Sequence, residues 1–562
     1  MSVLGKKWTM KSTRCDEQIL DILLENRGLQ TDEEKQAFID LAIEFHDPYL
    51  MKDMEKAVAR IAKAIEADER VMIFGDYDVD GLTSAAILYH ALKKLNAKHS
   101  VRLPNREKDG YGLSQKFMEE FVKIDVKLVI TVDCGISSAK EIKYALENDI
   151  DTIITDHHQI PENFPEASHA IIHPKQEDCS YPFEDLTGAG VALKLAHALY
   201  LHFLGKEEAE EALNELLELA ALGTIADLGP IRGENRTIVK QGLQNLTNTN
   251  WPGLKVLLDM VKGQNKEVNT TTVGFQIAPR LNAAGRIGDP YSALKLLIGE
   301  EGENLHQYGK ELEEINQERQ KMTIESYEEA QAFFKDLESK NQIPHILVAH
   351  SPNWHVGILG LSASRLADKY GRPAIVLQDL GDTLVASARS IDQFDIIEAI
   401  ASQKDILTSF GGHKAAAGFN LKKEHLEAFK INIEKFAEEK LKDKDLRPVL
   451  KIECEVKEDN LGEPLVEDIW KLKPFGIRNP RPVFKLKNVT PLFPKAVGRN
   501  EDHIKFEAKI GDKNINAIGF RLGKHLQDIR EAKSMDVVCY LEINEWNDHK
   551  NLQLEIVDFE IN

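Results

Sequence analysis

The sequence lacks the features of a secreted or membrane-embedded protein. No apolar run approaches the roughly 20 residues that a membrane-spanning helix needs, and the N-terminus shows no signal-peptide pattern. Cysteine is scarce, and no pair is spaced as Cys-x-x-Cys, which argues against a disulfide scaffold and a zinc site. We therefore expect a cytoplasmic protein whose thiols are reduced.

Positive charge is also scarce. The 562 residues include 71 Lys and Arg against 92 Asp and Glu, which gives a formal net charge of −21. A nucleic-acid partner requires cationic side chains at the phosphate contacts. Any such contact surface must therefore be a local basic track on an acidic protein.

The spacing of apolar residues divides the chain into five segments. Residues 51–300 alternate short β-branched runs with amphipathic stretches, which predicts a parallel sheet flanked by helices. Residues 301–340 predict a long connecting helix, and residues 341–445 predict a second, smaller α/β domain. Five short strands in residues 446–562 predict an OB-type barrel, and residues 1–50 are expected to be an N-terminal helical segment. The predicted fold class is therefore α/β with a C-terminal OB-like β-barrel.

Acidic and imidazole side chains follow three of the predicted strands. The strands at residues 71–74, 128–132 and 152–155 each run into such a group. Because open α/β sheets place active sites at the carboxyl ends of their strands, these groups should meet at one edge. They are Asp76, Asp78 and Asp80, then Asp133, and finally Asp156, His157 and His158.

The three carboxylates of residues 76–80 predict a metal site. While the backbone stays extended they project to the same side, and anions that close repel unless a cation lies among them. An Asp-rich surface loop is the alternative, and an EF-hand is excluded because no Glu stands at its twelfth position. Mixed nitrogen and oxygen ligands suit Mn²⁺, with Mg²⁺ as second choice. Thr83 and Ser84 are expected to cap a helix that begins near Ala85.

These motifs resemble the DHH phosphoesterase superfamily. Residues 75–81 and 156–158 carry the resemblance to the superfamily as a whole. Further stretches resemble its single-stranded-DNA exonucleases along nearly the full length, at residues 103–106, 110–113, 187–191, 223–227, 278–286, 354–358 and 411–418.

The resemblance implies a site for two metal ions, either Mn²⁺ or Mg²⁺. The ions would clamp the scissile phosphate and lower the pKa of a bridging water, whose hydroxide attacks phosphorus. His158 would contact the phosphate or orient the site. The implied ligands are Asp133 as the bridge, Asp80, His157 and Asp227 for one ion, and Asp76 or Asp78 for the other.

The resemblance also implies substrate contacts from both α/β domains. Arg280 and Arg286 would act as forked donors to phosphate oxygens, with a structural ion pair as the alternative for both. A pocket for a 5′-terminal phosphate would contain Arg106, Ser387 and Arg389, and further substrate contacts are expected from Tyr111 and His413. Residues 411–414 could instead form a tight turn before a helix. Anchoring the 5′ phosphate beside the metals would make digestion run 5′ to 3′.

The barrel is expected to offer a groove in which upstream bases stack. The alternative, that its aromatic residues belong to the core, stays open. Candidate stacking residues are Trp470, Phe475, Phe484, Phe506 and Phe520, and the candidate basic track comprises Lys471, Lys473, Arg478, Arg481 and Lys485.

The combined prediction is a single-stranded-DNA-specific 5′ to 3′ exonuclease of DNA repair and recombination that releases 5′-mononucleotides. We expect a monomer without membrane contact, and a single-strand binding protein and a helicase are candidate partners. One alternative is a DHH phosphoesterase for short oligonucleotides or cyclic dinucleotides, which would leave the barrel unexplained. The other is a non-catalytic strand-binding or replication-scaffold protein, which the intact Asp and His set disfavours.

Overall fold

The computed structural model describes residues 2–15, 18–40, 45–106, 108–110, 112–261, 267–300, 302–546 and 549–562. It contains a parallel-sheet domain, a smaller α/β domain and a closed barrel, so the predicted fold class is confirmed. In these described ranges, no helix has the length and apolar character required to cross a bilayer.

The N-terminal segment differs from the predicted helical unit. Its elements are β1 (Lys7–Met10), α1 (Ile19–Glu25) and α2 (Asp32–Asp40). Strand β1 pairs in parallel with residues 449–452, and α1 buries Ile22 and Leu23 in the core of the C-terminal barrel. These partners lie more than 400 residues away in sequence, so no local pattern could reveal the docking.

Five parallel strands in the order β3-β2-β4-β5-β6 form the sheet of the first domain. Buried apolar runs make its central strands, since both faces of the sheet are covered by helices. All five carboxyl ends therefore lie at one edge. The elements are α3 (Met54–Glu66), β2 (Val71–Phe74), α4 (Val79–Lys94), β3 (His99–Arg102), α5 (Gln115–Lys123), β4 (Leu128–Val132), α6 (Ala139–Glu147), β5 (Asp151–Thr155), β6 (Ala170–Ile172), α7 (Gly188–Leu204), α8 (Lys206–Ala226), α9 (Gly233–Thr247), α10 (Pro252–Val261), α11 (Thr270–Thr272), α12 (Ala278–Ile287) and α13 (Pro290–Ile298).

A long helix leads from the first domain to the second. This helix, α14 (Leu305–Ala332), packs against α12 and α13 on one side and α16 on the other. The second domain has a five-stranded sheet in the order β10-β11-β9-β8-β7, in which only β7 and β8 pair in parallel. Its elements are α15 (Lys335–Ser339), β7 (Leu347–Ser351), α16 (Leu359–Tyr370), β8 (Ala374–Asp379), β9 (Thr383–Arg389), α17 (Ile396–Ala401), β10 (Leu407–His413), β11 (Ala416–Lys422) and α18 (Leu426–Leu441).

The C-terminal barrel closes through five strands, because β14 pairs with both β15 and β17. The first strand expected in residues 446–562 is divided in two: β12 pairs with β1, and only the two-residue β13 joins the barrel sheet. The elements are β12 (Val449–Ile452), β13 (Cys454–Glu455), α19 (Glu463–Lys471), β14 (Phe484–Val497), β15 (His503–Ile510), β16 (Lys513–Gly519), α20 (Leu526–Glu531), β17 (Met535–Trp546) and β18 (His549–Ile561).

Candidate active site

The predicted metal ligands come together at the carboxyl edge of the first sheet. Three groups of side chains offer ligand atoms within 4.8 Å of one another. Asp133 belongs to two of these groups, so it lies between the other members. The groups are Asp76, Asp78 and Asp133; Asp80, His157 and Asp227; and Asp133, His157 and His158.

His157 lies at the centre of this cluster. Its Nε2 atom is 3.1 Å from Asp133 Oδ1, 3.7 Å from Asp80 Oδ2 and 3.8 Å from Asp227 Oδ2. Among the described residues, neither Nε2 of His157 nor Oδ1 of Asp133 has a hydrogen-bond partner, although both are buried. A buried lone pair surrounded by carboxylate oxygens is the arrangement that a divalent cation satisfies.

The backbone after β2 is not extended as far as Asp80, which corrects the expectation of one extended stretch at residues 76–80. Helix α4 begins at Val79, and Asp78 caps it by accepting a hydrogen bond from Gly81 N at 3.1 Å. Thr83 and Ser84 are therefore not caps, since both lie inside the helix and donate to backbone carbonyls of its first turn. Asp78 is thus extended while Asp80 is helical, so the three carboxylates do not project from one extended stretch.

The N-terminus of α7 holds Asp80. The carboxylate of Asp80 accepts hydrogen bonds from Gly188 N at 2.7 Å and Ala189 N at 2.9 Å. The positive end of the helix dipole favours the ionised carboxylate at this position. A Cβ atom on Gly188 would lie 2.6 Å from Asp133 Oδ1, and one on Gly223 would lie 2.6 Å from Asp80 Oδ1. Gly188 and Gly223 therefore make room for metal ligands, a role that their sequence did not reveal.

Asp156 orients the two histidines rather than joining the ligand groups. Its carboxylate accepts hydrogen bonds from Ile136 N at 3.0 Å and from the backbone N–H groups of His157 and His158. It also contacts Nδ1 of His158 at 2.8 Å. Such outer contacts fix the position of metal-binding imidazoles.

The electrostatics of the cluster require added positive charge. Burial, and next the charge of Asp78, raise the pKa of Asp76 to about 8 and that of Asp227 to about 7. Burial and neighbouring carboxylates likewise raise the pKa values of Asp80 and Asp133 well above their usual range. Each carboxylate resists ionisation because it is buried and because its neighbours are anionic. The residues therefore fit a site for divalent cations.

The two histidines have opposite charge preferences. Burial and the cationic neighbour His158 lower the pKa of His157 to about 3, so its imidazole stays neutral and can ligate a metal. Burial opposes protonation of His158, but the hydrogen bond to Asp156 and the charges of Asp156, Asp227 and Asp78 together raise its pKa to about 9. A cationic His158 suits contact with a phosphate.

A cluster of arginines lies where the two α/β domains meet. Arg286 is half-buried and donates to Gly357 O at 3.3 Å, and its partial burial together with Arg106 lowers its pKa to about 10. Arg389 donates to Ser387 Oγ at 3.2 Å, and Arg106 lies over the Tyr77 ring at 4.8 Å. The repulsion among these guanidinium groups makes the cluster a favourable site for an anion.

Two other predicted substrate contacts are placed differently. Arg280 forms a 2.6 Å ion pair with Glu313 and donates to Gln276 O, so the structural ion pair considered for both arginines occurs at Arg280. His413 is exposed at the end of β10, where residues 411–414 belong to a β-hairpin and not to a turn before a helix. Tyr111 lies outside the described residues.

The barrel aromatics divide into core and surface residues. Phe484 and Phe506 are buried in the barrel core, so their prediction as stacking residues is wrong. Trp470 and Phe520 are 40% and 50% exposed. The basic track is partly neutralised, because Lys471, Arg481 and Lys485 form ion pairs with Asp468, with Glu542 and Glu555, and with Asp536, respectively.

The sequence and architecture match those of known proteins. The family models that match are the DHH family N-terminal domain at residues 70–224, the DHHA1 domain at 344–439 and the RecJ OB domain at 452–558. The single-stranded-DNA-specific exonuclease RecJ of Haemophilus influenzae is 32% identical over 96% of this chain and 96% of its own length. The chain belongs to the RecJ family. The RecJ protein of Bacillus subtilis is 38% identical over 95% of this chain and 67% of its own length.

Solved RecJ structures share the whole arrangement. RecJ from Thermus thermophilus in complex with Mn²⁺ aligns with a TM-score of 0.82 at 28% identity, covering 99% of this chain and 80% of that protein. The Mg²⁺ complex of the same protein aligns with a TM-score of 0.77 at 26% identity, covering 99% and 79%. The prediction of a single-stranded-DNA exonuclease is thus confirmed at the level of the RecJ family.

Proposed function

We propose that this RecJ-family chain hydrolyses single-stranded DNA from the 5′ end and releases 5′-mononucleotides with the help of two divalent cations. Its RecJ relatives are named single-stranded-DNA-specific exonucleases, and one of them has been solved with Mn²⁺ and with Mg²⁺. The observation that carries the proposal is the set of three ligand groups, in which Asp133 and His157 are each shared by two groups and lie 3.1 Å apart.

Different residues would hold the two ions. Asp80, His157 and Asp227 would hold one ion, Asp76 and Asp78 the other, and Asp133 would bridge them. Bound ions would supply a hydroxide nucleophile at neutral pH and stabilise the charge of the leaving oxygen. The cationic His158, held by Asp156, would donate to a phosphate oxygen at the edge of the cluster.

The arginine cluster supports the direction of digestion. Arg389 and Ser387 face Gly360, where a Cβ atom would lie 2.6 Å from Arg389 Nη2 and 3.1 Å from Ser387 Oγ. The absence of a side chain at residue 360 leaves space beside two phosphate donors. Together with Arg106 and Arg286 they would bind the terminal 5′ phosphate, and each cleavage would then release one nucleotide.

The protein partners and the cellular location of the enzyme are also part of this proposal. Single-stranded DNA is the substrate partner, and a single-strand binding protein and a helicase would deliver it. Cys134, Cys454 and Cys539 are buried thiols that form no disulfide among the described residues, which fits a reducing cytoplasm, and we expect the enzyme to act as a monomer in repair and recombination.

The test is digestion of a 5′-labelled single strand with Mn²⁺, beside its duplex form and a 3′-labelled strand. We expect labelled mononucleotide from the 5′-labelled single strand at the earliest times. Asp80→Ala and His157→Ala should abolish cleavage but spare strand binding. Cleavage confined to dinucleotides or cyclic dinucleotides would favour the small-substrate phosphoesterase instead.

A further inference from the structure

The side chain of Arg236 joins the catalytic domain to the barrel domain. It projects from α9 of the first domain and is fully buried. Its guanidinium donates to Leu472 O at 3.0 Å and Lys473 O at 2.7 Å, with a longer contact to Pro474 O at 3.4 Å. These carbonyls directly follow α19 of the barrel domain, and the guanidinium also lies 3.9 Å from the centroid of the Phe38 ring. One side chain thus satisfies several carbonyls across a domain interface.

Other contacts hold the same barrel segment, residues 472–480, which we call the docking loop. Asn479 folds it by donating to Leu472 O and Pro474 O at 2.8 Å each. Arg27 donates to Asn479 Oδ1 at 2.6 Å, and Ile231 N donates to Ile477 O at 2.8 Å. The docking loop is therefore held from the N-terminal segment and from the start of α9, with Arg236 at the centre.

A groove of about 1000 Å³ opens beside this interface. One wall is α9, with Lys240 and Gln244, and the other is the barrel domain, with Trp470, Lys473 and Phe475. Exposed aromatic and cationic side chains of this kind bind single-stranded nucleic acid. Because Arg236 holds both walls, it sets the width of the groove.

A short segment of the chain connects this interface to the metal site. Asp227, a ligand in the second group, ends α8, and Arg236 follows nine residues later. The intervening segment makes the Ile231 contact to the docking loop. A segment of nine residues spans at most about 30 Å, so the barrel is anchored close to the point of cleavage.

We propose that Arg236 is a positioning residue that fixes the barrel domain over the catalytic domain and thereby gives the enzyme its preference for long strands. This inference rests on the proposed exonuclease function. A strand long enough to reach the groove gains binding energy there only when both walls are in place. A trinucleotide bound at the metal site gains nothing from the groove.

The test compares Arg236→Met with the full-length wild type on two 5′-phosphorylated substrates. One is a trinucleotide, and the other has about 20 nucleotides, more than the roughly 4 to 16 that an OB fold occupies. We expect kcat/KM for the long strand to fall about tenfold through KM, with little change for the trinucleotide. Arg236→Lys, which keeps the charge but loses the fork, should lie between the two.

Arg60→Met is the matched control. Arg60 is also buried in the first domain, where it pairs with Asp151 and Glu69 and contacts Lys127 O, all within that domain. The change should lower stability without altering the ratio of long to short substrate. The inference is overturned if Arg236→Met loses activity on neither substrate, or loses it equally on both.

Hydrogen exchange separates this inference from the proposed function, since it needs no substrate. Arg236→Met should speed the exchange of docking-loop amides such as Gly476 and Asn479, and Arg60→Met should not. Unchanged protection in Arg236→Met would refute the docking role even in an active enzyme. If the wild-type protein leaves single strands intact while Arg236→Met still loses protection, the exonuclease function is refuted and the docking role is not.

Discussion

Replacing Gly188 by alanine should inactivate the enzyme while leaving it folded, although the change removes no polar group. The new Cβ atom would lie 2.6 Å from Asp133 Oδ1 and 2.7 Å from Asp133 Cγ. These distances are about 0.8 Å short of ordinary contact, so the carboxylate that joins the two ligand groups must move. A misplacement of about 1 Å in an active site can cost about a hundredfold in rate.

The stability cost of the same change is small. Overpacking costs about 1 to 3 kcal/mol, and alanine offsets part of this because it is about 1 kcal/mol better than glycine in a helix. A loss of about 2 kcal/mol or less leaves the domain folded when its stability is typical, about 5 to 15 kcal/mol. Activity and stability should therefore separate.

The assay is mononucleotide release from a 5′-labelled single strand at saturating Mn²⁺, with urea unfolding measured in parallel. Gly190→Ala is the matched control, because its Cβ atom would meet only the flexible side chain of Leu186, at 3.0 Å. It should remain close to wild type in rate and in unfolding midpoint. Near-normal cleavage by Gly188→Ala would refute the close approach of α7 to the bridging carboxylate.

Three further outcomes are expected. Asp156→Asn should lower Mn²⁺ affinity about 10- to 100-fold in calorimetry by weakening the hold on the backbone of the metal ligand His157, and unchanged affinity would contradict the orienting role. Mn²⁺ added to chelator-treated protein should raise its melting temperature, with a stabilisation of about 2.7 kcal/mol at a hundred times Kd, because the ions offset carboxylate repulsion; no shift would argue against a divalent-cation site. Arg389→Lys should raise KM for 5′-phosphorylated strands and leave KM for 5′-hydroxyl strands unchanged, since lysine lacks the fork; equal changes would exclude Arg389 from the terminal-phosphate pocket.

The metal ligands illustrate what sequence could predict. Asp76, Asp133 and His157 each follow a buried β-branched run, and the carboxyl ends of parallel strands share one edge. Their convergence therefore followed from local pattern and general sheet geometry. Asp227 follows a helix and not a strand, so only the resemblance to DHH phosphoesterases pointed to it.

Predictions about backbone conformation and pairing were less reliable. The alternation of Asp76, Asp78 and Asp80 suggested an extended run, but α4 begins within it because Asp78 can cap a helix. Nothing in the sequence distinguishes the roles of Arg280 and Arg286, yet Glu313 of the connecting helix forms an ion pair with Arg280. Such partners lie far along the chain, and side-chain pairing depends on how the helices pack.

The sequence alone determined the ligand types, the strands that carry them and the family, because each is encoded in short contiguous stretches. Tertiary structure decided which arginines face the cleft, how α7 holds Asp80, and how the first 50 residues join the barrel. It also placed Arg236 between two domains, where its surroundings rather than its own type define its role. Contacts between residues hundreds of positions apart form only when the domains pack, so no local pattern encodes them.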